Sequence, residues 1–432
     1  MSQASRKNPK PLKARTAPLR VLSTNIDPPR PRPRRPRRRS RLLPPELFRH
    51  IIEWVSDSED LYHLCLASRI CRFEAERVLY RSVHLPQNTL APVLWARTIL
   101  SSPQKAMAVR SLVLRFDLAF LILPHKLLPS LLLISQALGA LRNLRNLRLV
   151  GHPRVRMHPG YLWLLDGCVP GLEVFDNSVF FPSDIAPFLS RHPNIRRWKQ
   201  AGTSTRVEQV MGHDFLPRVT DIDVSASSLS FFTSPRPLRR IKLEMNSLGD
   251  RRTKGEREII KHLSLFGNTL ESLIIENLNL DHLAAGELLG LLADATPNLK
   301  VLSYTHLTPT HVPVSRHHSS NPATHLNFFW PFSQDYEDLI PFVQSLSKLE
   351  VLVLPSRKPA SAALRLSVAQ SFLNRCPSLR RLVLKGTTTY SYGRCRDSSV
   401  GEWPLRTEKP CEEVDSSLLS APGTVVVVER YI

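Results

Sequence analysis

The sequence predicts an α/β chain: a disordered basic leader, a compact set of three helices, and then a solenoid with parallel strands on its concave face and helices on its convex face. Three observations carry this reading. An apolar-x-x-apolar-x-apolar pattern recurs ten times between Val109 and Leu384. Ahead of it, apolar residues fall at the three- and four-residue spacing of helix faces. Ahead of those, residues 1–41 are Pro- and Arg-rich and hold few large apolar side chains.

The leader contains three Lys and eleven Arg against one acid, Asp27, so +13 of the net +22 lies there and +9 in the rest. Such a segment buries too little apolar surface to offset the entropy of ordering it. Its Arg30–Arg39 stretch alternates proline and arginine and should be extended and self-repelling.

Order is expected from Leu42. Pro44-Pro45-Glu46 suits a helix start, because proline is tolerated in a first turn and an acid there meets the positive end of the helix dipole. Leu47, Ile51 and Val55 then follow at a spacing of four. Ser56-Asp57-Ser58 breaks that helix and offers a cap to the next, where Leu61, Leu64, Cys65 and Ser68 share a face. A third helix is predicted from about Ile70 to Tyr80. The boundaries read from sequence are 1–41 for the leader, 42–86 for the helical unit and 87–432 for the repeats.

The repeated pattern starts at Val109, Leu144, Leu172, Ile195, Val219, Leu238, Leu270, Leu299, Leu349 and Leu379. The steps are 35, 28, 23, 24, 19, 32, 29, 50 and 30 residues. Most suit a leucine-rich repeat, in which each unit buries its apolar face only by stacking on its neighbours. The step of 50 admits either a hidden repeat or an insertion at Thr308–Asp335. Helices are expected at Ile185–Leu189, Leu283–Leu292, Leu339–Leu346 and Val368–Leu373. Residues 386–420 read as a surface loop, and Thr424–Val428 as a terminal strand. The asparagine that usually turns the chain after each repeat strand is mostly missing, so the array should be irregular.

Leu43-Pro44-Pro45-Glu46-Leu47-Phe48, with Asp60-Leu61-Tyr62-His63-Leu64-Cys65, Phe73 and Leu79-Tyr80, resembles the F-box family, most closely its fungal members. The resemblance covers residues 43–82. It implies docking to a Skp-type adaptor, and through it to a cullin scaffold, with Leu43, Pro44, Leu47, Ile51, Leu61, Leu64 and Cys65 at the contact. It also implies that the repeats receive a target protein for ubiquitination. The plain alternative is that these residues only form the core of a helical cap on the array.

The outward strand positions are more basic than acidic. Arg196, Lys242, Lys300 and Arg380 are the candidate target-binding residues, suited to an acidic or phosphorylated partner. The run Arg30–Arg41 reads first as a nuclear import signal, with nucleic-acid or membrane-surface contact as other uses and a leader without a role as the bland one.

Nothing points to catalysis. The sequence has no Walker-type glycine loop, no Gly-x-Ser-x-Gly elbow and no His-Glu-x-x-His. No cofactor or metal site is expected, and His311, His317, His318 and His325 read as loop histidines. The six cysteines form no Cys-x-x-Cys pair, which suits reduced thiols. With no secretory signal and no membrane-spanning run in view, the expected location is nucleus or cytoplasm. The expected function is that of a non-catalytic substrate receptor of a Skp/cullin/F-box ubiquitin ligase. The rivals are a repeat scaffold with no ubiquitin role and a nuclear nucleic-acid-associated protein using the leader.

Overall fold

The computed structural model describes residues 44–88, 90–116, 118, 124–152, 155–201, 215–245, 256–276, 285–305, 336–355, 362–385, 389–393 and 426–429. The leader, Leu43 and Thr308–Asp335 lie outside these. Three helices open the described chain: α1 (Pro45–Glu53), α2 (Ser58–Ala67) and α3 (Arg69–Leu79). The caps are local. Asp57 accepts from the Glu59 amide at 2.9 Å and Ser68 from the Cys71 amide at 3.1 Å. Each side-chain oxygen satisfies a donor that the first helical turn leaves open.

These helices share a very small core of Ile52, Leu61 and Ala75, with Val55, Leu64, Cys65, Cys71, Val78 and Leu79 half-buried around it. Arg77 adds a tie between α3 and α1, its Nη2 lying 2.7 Å from Glu53 Oε1. That hydrogen bond leads the effects that hold the Glu53 carboxyl below its ordinary pKa.

One sheet of thirteen strands follows, arranged in chain order. The strands are β1 (Ser82–His84), β2 (Ser111–Arg115), β3 (Asn146–Val150), β4 (Val174–Asn177), β5 (Arg197–Gln200), β6 (Asp221–Ser225) and β7 (Arg240–Glu244). They continue through β8 (Ser272–Glu276), β9 (Val301–Thr305), β10 (Val351–Pro355), β11 (Arg381–Lys385), β12 (Thr389–Gly393) and β13 (Val426–Glu429). Every pairing from β1 to β11 is parallel. All ten motifs become strands, each beginning two residues after the motif's first apolar residue.

The register explains the motif. Leu112, Leu147, Phe175, Trp198, Ile222, Ile241, Leu273, Leu302, Leu352 and Leu382 are mutual partners from strand to strand. All are buried, as are the residues that open each motif. Strand side chains alternate between faces, so an inward row of this kind requires an apolar residue at the same position in every unit. Each such side chain contributes roughly 1.5–3 kcal/mol when withdrawn from water.

The connections differ from unit to unit. Most hold α-helices: α4 (Leu90–Ser101), α5 (Pro103–Ala108), α6 (Leu128–Ala140), α7 (Pro182–Ser190), α8 (Glu256–Ser264), α9 (Ala285–Ala295), α10 (Ile340–Ser345) and α11 (Ala362–Arg375). The 19-residue step between the motifs at Val219 and Leu238 holds only a 3-10 turn, Ala226–Phe231.

Three sequence expectations change. No strand of the sheet comes between β9 and β10, which pair directly across the 50-residue step; the extra residues are an insertion in the array. The segment expected to be a loop from 386 contains β12, with Tyr392 buried against the end of the core. Finally, the sheet is not parallel throughout. β12 runs antiparallel to β11, and β13, which overlaps the expected terminal strand, runs antiparallel to β12. A connection of three residues from β11 to β12 is too short for a crossover and forces the reversal.

His192 follows α7 and is buried, its Nδ1 lying 2.7 Å from the Phe188 carbonyl oxygen. Burial pushes its pKa below the ordinary value, against the carbonyls of Phe188, Cys168 and Val169. The ring is therefore neutral in the fold, whereas the unfolded chain takes up its proton near pH ~6.5. Stability from this group is complete above that pH and falls as the pH drops towards the lowered folded value. Urea midpoints measured from about pH 7.5 to about pH 5.5 should fall less steeply in His192→Gln than in the parent. Parallel curves for the two proteins would remove His192 from the acid response.

Candidate functional site

Two surfaces emerge. The first is the outer side of the three helices. On α1, Leu47 is 45% exposed and Ile51 53%, and Trp54 just beyond its end is 87% exposed. Their spacing of four and then three sets them on one helix face. Tyr62 and Leu66 on α2, and Ile70 and Phe73 on α3, are exposed as well. Seven of the seventeen exposed large apolar residues among those described thus fall between residues 47 and 73. Single exposed apolar residues need no explanation, but a concentration of them marks a surface that meets something.

The residues expected to touch an adaptor divide between the two sides. Leu47 and Ile51 are outward, and Pro44 is exposed at the helix start. Leu64 and Cys65 are half-buried against the small core. Leu61 is only 5% exposed, so it holds α2 in place rather than offering itself to a partner. Leu43 lies outside the described residues. The sequence reading passed over Trp54, Tyr62, Leu66 and Ile70. Their spacing on each helix face carried that signal, but the small core leaves only a few inward positions to distinguish them from.

The second surface is the exposed face of the sheet. Arg148, Asp176, Lys199, Asp223 and Lys242 are successive partners across β3 to β7. Their charges alternate. Arg148 Nε lies 2.6 Å from Asp176 Oδ2, Lys199 Nζ 2.6 Å from Asp223 Oδ2, and Lys242 Nζ 2.8 Å from Glu276 Oε2. Burial raises the Asp176 carboxyl above its usual range despite Arg148 and Lys199. At Lys242 burial acts downward, but the Glu276 hydrogen bond and neighbouring carboxylates win and hold the ammonium above its ordinary value. Past Lys242 the same row turns to Ile274, Ser303, Val353 and Val383.

The four candidate target-binding cations do not form one site. Lys242 belongs to this charge ladder. Arg196, Lys300 and Arg380 lie just ahead of β5, β9 and β11, in a row defined by amide-to-carbonyl bonds from each repeat to the one before. Lys300 Nζ is 3.4 Å from Glu271 Oε1 and Arg380 Nη1 3.6 Å from Glu350 Oε2. Arg196 is exposed and makes no ion pair among the described residues.

Among the described residues no His/Cys/Asp/Glu group could hold a metal ion, and no helix is long and apolar enough to cross a membrane. Cys65, Cys71, Cys168 and Cys376 are free thiols. Burial pushes Cys168 up to about 12, so it is a poor nucleophile.

Comparison with protein-family models gives no match, and comparison with curated proteins gives none either. Among solved structures the chain is similar to the leucine-rich repeat-containing protein LegL7 from Legionella pneumophila, at 12% identity over 71% of this chain and 90% of that one, with a TM-score of 0.40. The chain-ordered parallel sheet described above stands on its own strand pairings.

Proposed function

We propose that this chain is a non-catalytic receptor, a leucine-rich-repeat solenoid whose three-helix F-box-like head docks onto a Skp-type adaptor of a cullin ubiquitin ligase. The observation that carries the reading is the exposed apolar side of the head, with Leu47, Ile51 and Trp54 outward while the inner side closes on a three-residue core. A helical cap serving only the array has no use for such a side. So small a core is also steadied by a partner. In this reading the sheet face receives the target protein, and the chain acts by holding that target near the ubiquitin-carrying enzyme, raising its effective concentration. The expected location is nucleus or cytoplasm.

The test is a titration of the full chain against purified Skp-type adaptor. Leu47→Asp/Ile51→Asp alters two half-exposed residues and should leave the melting temperature unchanged. It is expected to weaken binding by at least about 100-fold, equivalent to about 3 kcal/mol. Parent protein that fails to bind the adaptor would sink the ligase role and leave a repeat scaffold whose head meets some other partner.

A further inference from the structure

A cavity of about 580 Å³ opens where the turn between α1 and α2 and the end of α3 face the leading edge of β1 to β3. Arg81, Arg110 and Arg145 all line it. Each immediately precedes its strand. The Arg110 amide donates to the Arg81 carbonyl at 3.0 Å, and the Arg145 amide to the Arg110 carbonyl at 2.9 Å. The three therefore occupy one register position on adjacent strands, roughly 4.8 Å apart.

Elsewhere this row avoids such a run. Continuing by the same bonds it reads Glu173, Arg196, Thr220, Arg239, Glu271, Lys300, Glu350 and Arg380, so that no two cations adjoin. Like charges on facing positions destabilise a sheet. The three arginines are thus an exception, and all three line this cavity. Glu173 is the single acid lining that cavity among the described residues, and it answers Arg145 alone at 3.3 Å. The lining keeps a net charge of +2, with the hydroxyls of Ser82 and Ser111 beside it. The basic leader cannot fill it, since its charge has the same sign.

We propose that this cavity binds an oxyanion-bearing segment of a partner protein, either a phosphorylated side chain or adjacent carboxylates, through Arg81, Arg110 and Arg145. A phosphoryl group carries about −1.5 to −2 at neutral pH and matches the surplus charge. Guanidinium forks suit both kinds of oxyanion. The volume far exceeds that of one bound anion and accommodates the residues around it. The assignment holds whether or not the head docks onto an adaptor.

Fluorescence anisotropy of the full chain tests it with three labelled heptapeptides, each of glycine with a central phosphoserine, Asp-Asp or serine. At least one charged peptide should bind tenfold or more tightly than the serine peptide, and which one does so identifies the source of the oxyanion. Arg81→Gln/Arg110→Gln should lose that preference. Arg239→Gln/Arg240→Gln removes the same charge at the start of β7, outside the cavity, and should keep it. Binding that survives in the first variant would belong to the leader and would overturn the proposal, as would equal losses in both variants. Relief of repulsion should leave the melting temperature of Arg81→Gln/Arg110→Gln unchanged or higher, and a clear fall would make these arginines structural and overturn it too.

Discussion

Replacing Trp198 by alanine is expected to cost about 3–5 kcal/mol, the range for deleting a large buried aromatic side chain. Trp198 sits on β5 in the inward row, fully buried. Its ring centroid lies 5.9 Å from that of Phe215, 6.4 Å from Phe231 and 6.2 Å from Phe232. Phe232 in turn lies 5.8 Å from Phe266, edge to face. One side chain thus joins β5, the approach to β6 and the short turn after it, and through Phe232 this cluster reaches the segment following α8. The cavity left behind cannot collapse without moving all of them. Because units in a stacked array contact mainly their neighbours, the damage should be regional. Amide exchange should rise across β4 to β7 while β2 and β10 keep their protection. The indole Nε1 has no hydrogen-bond partner, so Trp198→Phe should be far milder, about 1.5 kcal/mol or less. Equal exchange throughout the sheet, or equal effects of the two substitutions, would contradict this account.

Asn177→Ala should cost about 3 kcal/mol for a different reason. In its row Asn177 follows the apolar Leu149 and pairs on its other side with the buried Gln200. Asn177 is fully buried. Its Oδ1 accepts from the Val179 amide at 3.0 Å and the Phe180 amide at 3.2 Å, and its Nδ2 donates to the Phe180 carbonyl at 3.0 Å and Gln200 Oε1 at 2.9 Å. Alanine would leave both amides unpaired in a dry interior, at roughly 1–3 kcal/mol each. Asn177→Asp keeps the acceptor but brings a charge beside the Phe180 carbonyl and Gln200 Oε1, so it should be no better at neutral pH. Urea unfolding of the three proteins decides the matter. A loss under about 1 kcal/mol for the alanine variant would mean that water replaces the side chain.

The strands were legible because the same inward row must be filled in each unit, and a rule repeated ten times outlasts irregular spacing. Where the chain departs from that rule the sequence misleads. β1 has three residues, too few to display an alternation, and it sits in the stretch read as helical. β12 was hidden because Thr389-Tyr390-Ser391-Tyr392-Gly393 carries aromatic and hydroxyl groups where the other strands carry aliphatic ones. Asn177 closes the turn after β4, its Oδ1 accepting from the Val179 and Phe180 amides.

The surfaces were less legible than the fold. Apolar spacing identified the helices of the head but not their outward sides, since Leu61 and Leu47 look alike in sequence and only packing separates them. The cations were harder still. Lys242 has acids within reach on two neighbouring strands, a relation between residues far apart in the chain. Arg81 and Arg110 were overlooked because nothing local distinguishes an arginine beside two others from one beside a glutamate on the next strand.

The head and the sheet are joined with almost no slack. Only Tyr80 and Arg81 separate α3 from β1. Lys105 Nζ, on α5, lies 3.6 Å from Glu76 and 5.0 Å above the Tyr80 ring. The chain is a set square more than a pair of beads on a string. In the proposed receptor, whatever the head grips and whatever the sheet grips would be presented at an angle set by this short link. Among molecules held equally well, those whose reactive groups happen to lie within the fixed reach would be favoured, so geometry would sort them as strictly as affinity does.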